Sequence, residues 1–241
     1  MNVEELAEKL IIWIREKVLA SGHKGVVLGM SGGIDSSVAA VLCQRALPQS
    51  TLGVLMPCYS IQEDEEHALA IARKFSIPTK TVVLDIVFDT LLKVLSDDNG
   101  AQTSQLANAN LKARLRMITL YCFANQLNYM VVGSSNRSEL AIGYSTKYGD
   151  GGVDILPLGN LVKGQVIELA SFMGIPQEVI NKPPSAGLWP GQTDEDELGF
   201  SYKELDRYLI TGEALDEVRR KIESMIAASK HKREQPPVPA F

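Results

Sequence analysis

The chain has 241 residues, a formal net charge of −5, 45% hydrophobic and 22% charged residues, which excludes disordered, collagen-like and fibrous classes and suits a single domain over 1–241. No apolar run approaches the roughly 20 residues that span a bilayer, the mixed-charge N-terminus lacks an export signal, and no basic block exists to track a phosphate backbone; neither membrane nor nucleic acid is an expected partner. Three cysteines, Cys43, Cys58 and Cys122, odd in number and without a C-x-x-C pair, point to a reducing cytoplasm rather than to a disulfide framework or zinc ribbon.

Along the chain, Val3, Leu6, Leu10, Trp13, Ile14 and Val18 share one helical face. A strand follows at Gly25 to Met30, a helix at Ser36 to Ala46, a strand at Thr51 to Met56, a helix at Gln62 to Phe75 and a β-branched strand at Thr79 to Leu84. Helical pattern after Asp85 breaks at Ser96 to Gly100 and resumes from Gln105 to Leu127, and Tyr129 to Gly133 reads as a fourth strand. Short apolar strands alternating with helices predict an α/β fold, a parallel sheet flanked by helices. Gly143 to Gly164 and Lys182 to Gly199 read as long loops, followed by helices at Ser201 to Ile210 and Ala214 to Ser229 and a proline-rich end. The acidic run Asp194 to Glu197 repels itself, so a mobile loop over 183–199 is expected, with a tail at 230–241.

The strongest local signal is Gly29-Met30-Ser31-Gly32-Gly33-Ile34-Asp35-Ser36-Ser37, where a strand feeds a helix. Glycine lets the backbone turn tightly, so amide groups, hydroxyls and a helix N-terminus converge on one point, a place for an anion. The loop is neither a Walker A sequence nor a dinucleotide-binding G-x-G-x-x-G. It resembles the pyrophosphatase loop of the ATP pyrophosphatase superfamily, whose members adenylate an oxygen and release pyrophosphate. A carboxylate beside phosphates needs a cation, for which magnesium is the natural choice, so Asp35 is either a metal ligand or a helix cap. Glu139 follows the fourth strand and is either a second ligand or the closing residue of a capping box begun by Asn136.

Further segments appear in order: Asn110-Leu-Lys-Ala-Arg-Leu-Arg-Met117, Thr146-Lys-Tyr-Gly-Asp-Gly-Gly-Val-Asp154, Pro157-Leu158, Pro184-Ser-Ala-Gly-Leu188, Thr193-Asp-Glu-Asp-Glu-Leu-Gly199 and His231-Lys-Arg233. Together they resemble the ammonia-dependent NAD synthetases over nearly the whole chain. The resemblance implies a Rossmann-like ATP pyrophosphatase fold and the amidation of deamido-NAD to NAD through an adenylated nicotinate carboxylate. It implies ATP binding by Gly29, Met30, Ser31, Gly32, Gly33, Ile34, Asp35, Ser36, Ser134, Lys163 and Ser185, with Asp35 and Lys163 at the reacting centre. Magnesium would be held by Asp35 and Glu139, and deamido-NAD by Arg114, Lys147, Asp154, His231 and Lys232. It also implies a homodimer, for which the sequence offers the stripe Leu111, Leu115, Ile118 and Cys122, a pattern that fits intrachain core equally well. The length leaves no room for a glutaminase domain beside the match, so ammonia is the expected nitrogen donor. Serine at 134 and 185, where threonine is usual, keeps the hydroxyl; Asn136 and Arg137 depart from the family's usual pattern. The alternatives are another adenylating enzyme of the superfamily, such as a GMP or argininosuccinate synthetase or a tRNA thiolase, or a nucleotide-binding module without catalysis.

Overall fold

Short apolar and β-branched runs pair in parallel in the computed structural model, which describes residues 2–95, 104–185, 187, 191 and 193–240. Strands Gly25–Gly29 (β1), Thr51–Leu55 (β2), Thr79–Thr81 (β3) and Tyr129–Val132 (β4) form one sheet in the order β3-β2-β1-β4. Val26 aligns with Thr51 on one side and Met130 on the other. Alternation divides the central strands: Val26, Leu28, Leu55, Met130 and Val132 enter one core, while Val27, Val54 and Val131 enter the other.

The first core is closed by helices Val3–Ala20 (α1), Ile34–Ala46 (α2), Gln62–Lys74 (α3) and, later in the chain, Lys163–Met173 (α7). The Asn2 side chain starts α1 by accepting from the Glu5 amide at 2.8 Å, and Ile14 and Val18 bury its inner face. α2 is apolar nearly all round because it lies between α1 and α7 as well as on the sheet. The opposite core is closed by Asp85–Leu95 (α4) and Gln105–Leu127 (α5), the latter ending at Asn128 in the left-handed region, φ 56°. A third cluster joins Arg137–Ile142 (α6), Asp194–Leu198 (α9), Tyr202–Thr211 (α10) and Asp216–Ala228 (α11). Gln177–Ile180 (α8) and a 3₁₀ turn at Lys230–Lys232 complete the described elements.

The parallel α/β architecture agrees with the sequence reading, and four details differ. α2 starts two residues before Ser36, since Gly33 already has the extended geometry of a helix-starting residue. β3 stops at Thr81 and is exposed throughout, because it is the sheet edge and pairs only with β2. The acidic run is not loop: Thr193 caps α9 by accepting from the Asp196 amide, and Asp194 is buried. The stripe on α5 divides: Leu115 is buried and Leu111 packs beside it, whereas Ile118 and Cys122 are exposed. The expected break at Ser96 to Gly100 lies outside the described residues. No helix of the described residues is long and apolar enough to cross a membrane.

Leu42 on α2 is fully buried. Leu42→Ala should therefore lower unfolding free energy by about 2–5 kcal/mol, read from urea denaturation, with the unfolding slope unchanged.

Candidate functional site

The strand order places β2 and β3 on one side of β1 and β4 on the other, so the connections from β1 and β4 leave in opposite directions. A crevice opens at their carboxyl ends, where open parallel sheets bind ligands. Ser31 to Ser36 leaves β1 and Ser134 to Glu139 leaves β4, and both line that crevice.

The loop after β1 is built from its own hydroxyls. Ser31 and Ser36 Oγ lie 2.9 Å apart, Gly33 N donates to Ser31 Oγ at 3.3 Å, and Ser36 and Ser37 donate to the Gly33 carbonyl at 3.0 and 2.8 Å. Gly32 has φ 80°, and a Cβ there would collide with the carbonyl oxygen of Asp64 on α3. The loop is thus pressed against the first turn of α3. Asp64 also pairs with Lys182, at the start of the stretch that carries Ser185, whose Oγ accepts from the Gly187 amide at 3.1 Å.

Three charged side chains from distant positions meet beside this loop. Lys163 Nζ lies 2.5 Å from Asp35 Oδ2 and 3.8 Å from Glu139 Oε1, and Lys163 is 3% exposed. Asn136, fully buried, donates from Nδ2 to Asp35 Oδ1 at 2.8 Å and accepts from the Glu139 amide at 3.0 Å; its own amide donates to Glu139 Oε2 at 3.2 Å. The two readings of Glu139 are therefore compatible: one oxygen closes the capping box and the other faces the charged cluster. Asn136 joins the two carboxylates, and Arg137 donates to the Leu209 carbonyl on α10 at 2.9 Å. Ser134, two residues past the end of β4, is half-buried.

Burial would drive the Lys163 ammonium down, but the charges of Asp35 and Glu139 and the hydrogen bond to Asp35 carry it up to about 12. Burial and the Asp35 charge push the Glu139 carboxyl up to about 8, against the pull of Lys163. Below about pH 8 Glu139 keeps its proton and the Asp35 and Lys163 charges balance; once ionised, Glu139 gives the cluster an excess negative charge that favours a cation.

The sequence reading missed Asp194, Tyr144 and Tyr202. Both hydroxyls donate to Asp194, at 3.0 Å from Tyr144 and 2.9 Å from Tyr202, and the Tyr202 ring lies 5.0 Å from Lys163 Nζ. Burial raises Asp194 while the two hydroxyls lower it, and burial raises both tyrosines. A carboxylate in an acidic run reads as a solvated charge until two phenols are seen to cover it.

The remaining expected residues form a second group. Arg114 donates to the Lys147 carbonyl at 3.3 Å, and Lys147 Nζ donates to the His231 carbonyl at 2.6 Å. Lys232 Nζ donates to the carbonyls of Gly143 and Ser145 at 2.7 and 2.6 Å, so its ammonium fastens the tail to the end of α6. Asp154 stands apart, accepting from Tyr121 Oη at 2.9 Å and the Val131 amide at 2.7 Å. Arg114, Lys147, His231 and Lys232 are thus linked through backbone contacts, while Asp154 braces β4. A cavity of about 360 Å³ opens beside Lys147, Lys230 and His231.

Among the described residues no group of three or more His, Cys, Asp or Glu side chains is gathered as for an all-protein metal cage. The pair Asp35 and Glu139 fits the other arrangement, in which magnesium takes one or two carboxylates and fills its octahedron with water and phosphate oxygens.

The NAD synthase family model matches residues 6–236. The NH(3)-dependent NAD(+) synthetase of Carboxydothermus hydrogenoformans is 48% identical over 99% of this chain and 98% of its own. Among solved structures, NMN synthetase from Francisella tularensis superposes with a TM-score of 0.95 at 36% identity, covering all of both chains. The NH3-dependent NAD synthetase from Campylobacter jejuni does so with 0.82 at 30% identity, again covering all of both.

Two outcomes follow from this geometry. Gly32→Ala should cost about 1–3 kcal/mol from backbone strain alone, read from urea denaturation. Because Glu139 holds its proton more tightly folded than unfolded, the ligand-free protein loses stability as pH rises from 4.5 toward about 8. Glu139→Gln, which cannot ionise, should raise the Tm over the parent more at pH 8.5 than at pH 5.

Proposed function

The chain belongs to the NAD synthase family, and on that premise we propose that its β1–β4 crevice is the site of an ATP-dependent amidation of a nicotinate carboxylate. The protein is a carbon–nitrogen ligase that converts deamido-NAD to NAD with ATP and ammonia. The observation that carries the site assignment is the convergence of Asp35, Glu139 and Lys163 beside the glycine-rich loop.

The substrate carboxylate attacks the α-phosphorus of ATP, pyrophosphate departs, and ammonia then displaces AMP at the carbonyl carbon. The glycine-rich loop backbone and the hydroxyls of Ser31 and Ser36, turning from their partners within the loop, receive the departing pyrophosphate. Lys163, kept charged by its two carboxylate neighbours, is placed to stabilise phosphate charge. Asp35 and Glu139 would hold magnesium, which when bound neutralises charge on the phosphates. Ser134 and Ser185 supply hydroxyls at the rim for ATP. Arg114, Lys147, His231, Lys232 and Asp154 line the deamido-NAD side, where the cations suit a pyrophosphate and a carboxylate. Arg114, Lys147 and Lys232 each donate to backbone carbonyls; Lys232 with its two, and Asp154 on the Val131 amide, hold the lining in place, while Arg114 and Lys147 exchange one carbonyl for the ligand.

A second reading of the substrate has one observation in its favour, the 0.95 TM-score with an enzyme named for NMN. In that reading the acid form of the mononucleotide replaces deamido-NAD at the same carboxylate. Incubation with ATP, magnesium and ammonium, with each acid in turn, separates the two: AMP release should be faster with deamido-NAD, and the reverse order of kcat/KM would favour the mononucleotide.

Asp35→Asn and Glu139→Gln should each remove most AMP formation while circular dichroism stays unchanged; near-normal turnover at limiting magnesium would reject that residue as a ligand. A homodimer is the proposed assembly, supported by the exposed Ile86, Val87 and Val94 on α4 and Ile118 on α5. Sedimentation at micromolar concentration should give twice the chain mass; a fully active monomer would overturn it. The three free thiols suit a reducing cytoplasm.

A further inference from the structure

α7 begins with Lys163; locally Gln165 Oε1 accepts from the Val162 amide at 3.1 Å, but the apolar Val162 side chain offers the Lys163 and Gly164 amides no acceptor. The first amides of a helix need acceptors, and buried ones need them most. They are supplied from α10, forty residues on. Asp206 Oδ2 accepts from the Gly164 amide at 2.7 Å and Oδ1 from the Lys163 amide at 3.3 Å. The same Oδ1 accepts from Ser138 Oγ at 2.5 Å, and that hydroxyl accepts in turn from the Lys163 amide at 3.1 Å. Ser138 is fully buried, Asp206 is 8% exposed, and Ser138 directly precedes Glu139.

We infer that Asp206 is a positioning residue of the reaction: by binding the Lys163 and Gly164 amides and the Ser138 hydroxyl at once, it fixes the start of α7 relative to α6 and thereby the spacing of Lys163 and Glu139. The looser Lys163–Glu139 ion pair at 3.8 Å spans the same two helix starts, but only Asp206 binds them through the backbone of α7. A carboxylate at a helix N-terminus also opposes the partial positive charge there, which strengthens the tie. Tyr202, one helical turn before Asp206 on α10, lies with its ring 5.0 Å from Lys163 Nζ. α10 therefore grips Lys163 at both ends, the amide through Asp206 and the ammonium through Tyr202. Arg137 anchors α6 to the far end of the same helix through the Leu209 carbonyl. This assignment rests on the reading of Lys163 and Glu139 as parts of the reacting site.

The test uses the full chain with Asp206→Ala, Asp206→Asn and Ser138→Ala, and Lys163→Ala as reference. Deamido-NAD-dependent AMP release is measured well below each variant's Tm, with the folded fraction fixed by circular dichroism. A misplaced Lys163 should lower kcat in Asp206→Ala by about ten- to a hundredfold, with the KM for ammonium within about twofold of the parent. Asp206→Asn, which keeps the shape and one acceptor oxygen, should recover part of the loss. Ser138→Ala, which leaves the α7 amides capped but cuts the link to α6, should fall between parent and Asp206→Ala. A lowered Tm with unchanged kcat per folded molecule would overturn the proposal and leave Asp206 a helix cap only. Should Asp206→Ala not fold, Asp206→Asn and Ser138→Ala decide by the same criterion. Full activity in Lys163→Ala would instead overturn the site reading itself, independently of Asp206.

Discussion

A single ammonium, that of Lys163, is held out of water between two carboxylates, and most of the surrounding structure is arranged to make that tolerable. Bringing such charges inward costs several kcal/mol per ion unless the geometry is good and the leftover lone pairs are satisfied. Here they are: Asn136 bonds both carboxylates, the Glu139 carboxylate closes its own helix, and tyrosine from α10 lies against the ammonium. The three charged residues stand at positions 35, 139 and 163. They become neighbours only because β1 and β4 are adjacent and α7 returns across α2. The sheet order is thus the precondition of the electrostatics.

What sequence revealed and what it hid divide along a physical line. Local signals were legible: the glycine and serine loop, the period of α1, the Asn136 to Glu139 spacing. Each depends on residues within a turn or two of one another. Asp194 and Asp206 were not legible as site residues, since their partners Tyr144, Tyr202, Ser138 and Lys163 lie between 8 and 68 positions away. Nor could an apolar spacing on α5 say which residues face inward. Leu115 meets the sheet and Ile118, three positions on, meets solvent. The family resemblance proposes roles for residues that no periodicity singles out. It could not say that Lys232 and Asp154 spend their side chains on backbone groups.

The acidic segment illustrates how context reverses a local expectation. Four consecutive carboxylates repel one another in an open loop, but at a helix N-terminus they face a positive dipole end, and one of them, Asp194, is drawn inward by two phenol donors. Repulsion that argues for disorder in the free segment becomes compatible with a five-residue helix once a cap and two donors are present.

The clamp made by Lys232 bears on when the protein becomes competent. Its ammonium fastens the Gly143 and Ser145 carbonyls, so the loop that carries Lys147 is tied down by residues synthesised after every other part of the site. A nascent chain can pair its strands and close both sheet cores while that loop still waits for its fastening. The order of synthesis therefore places the fastening of the Lys147 loop after the scaffold beneath it.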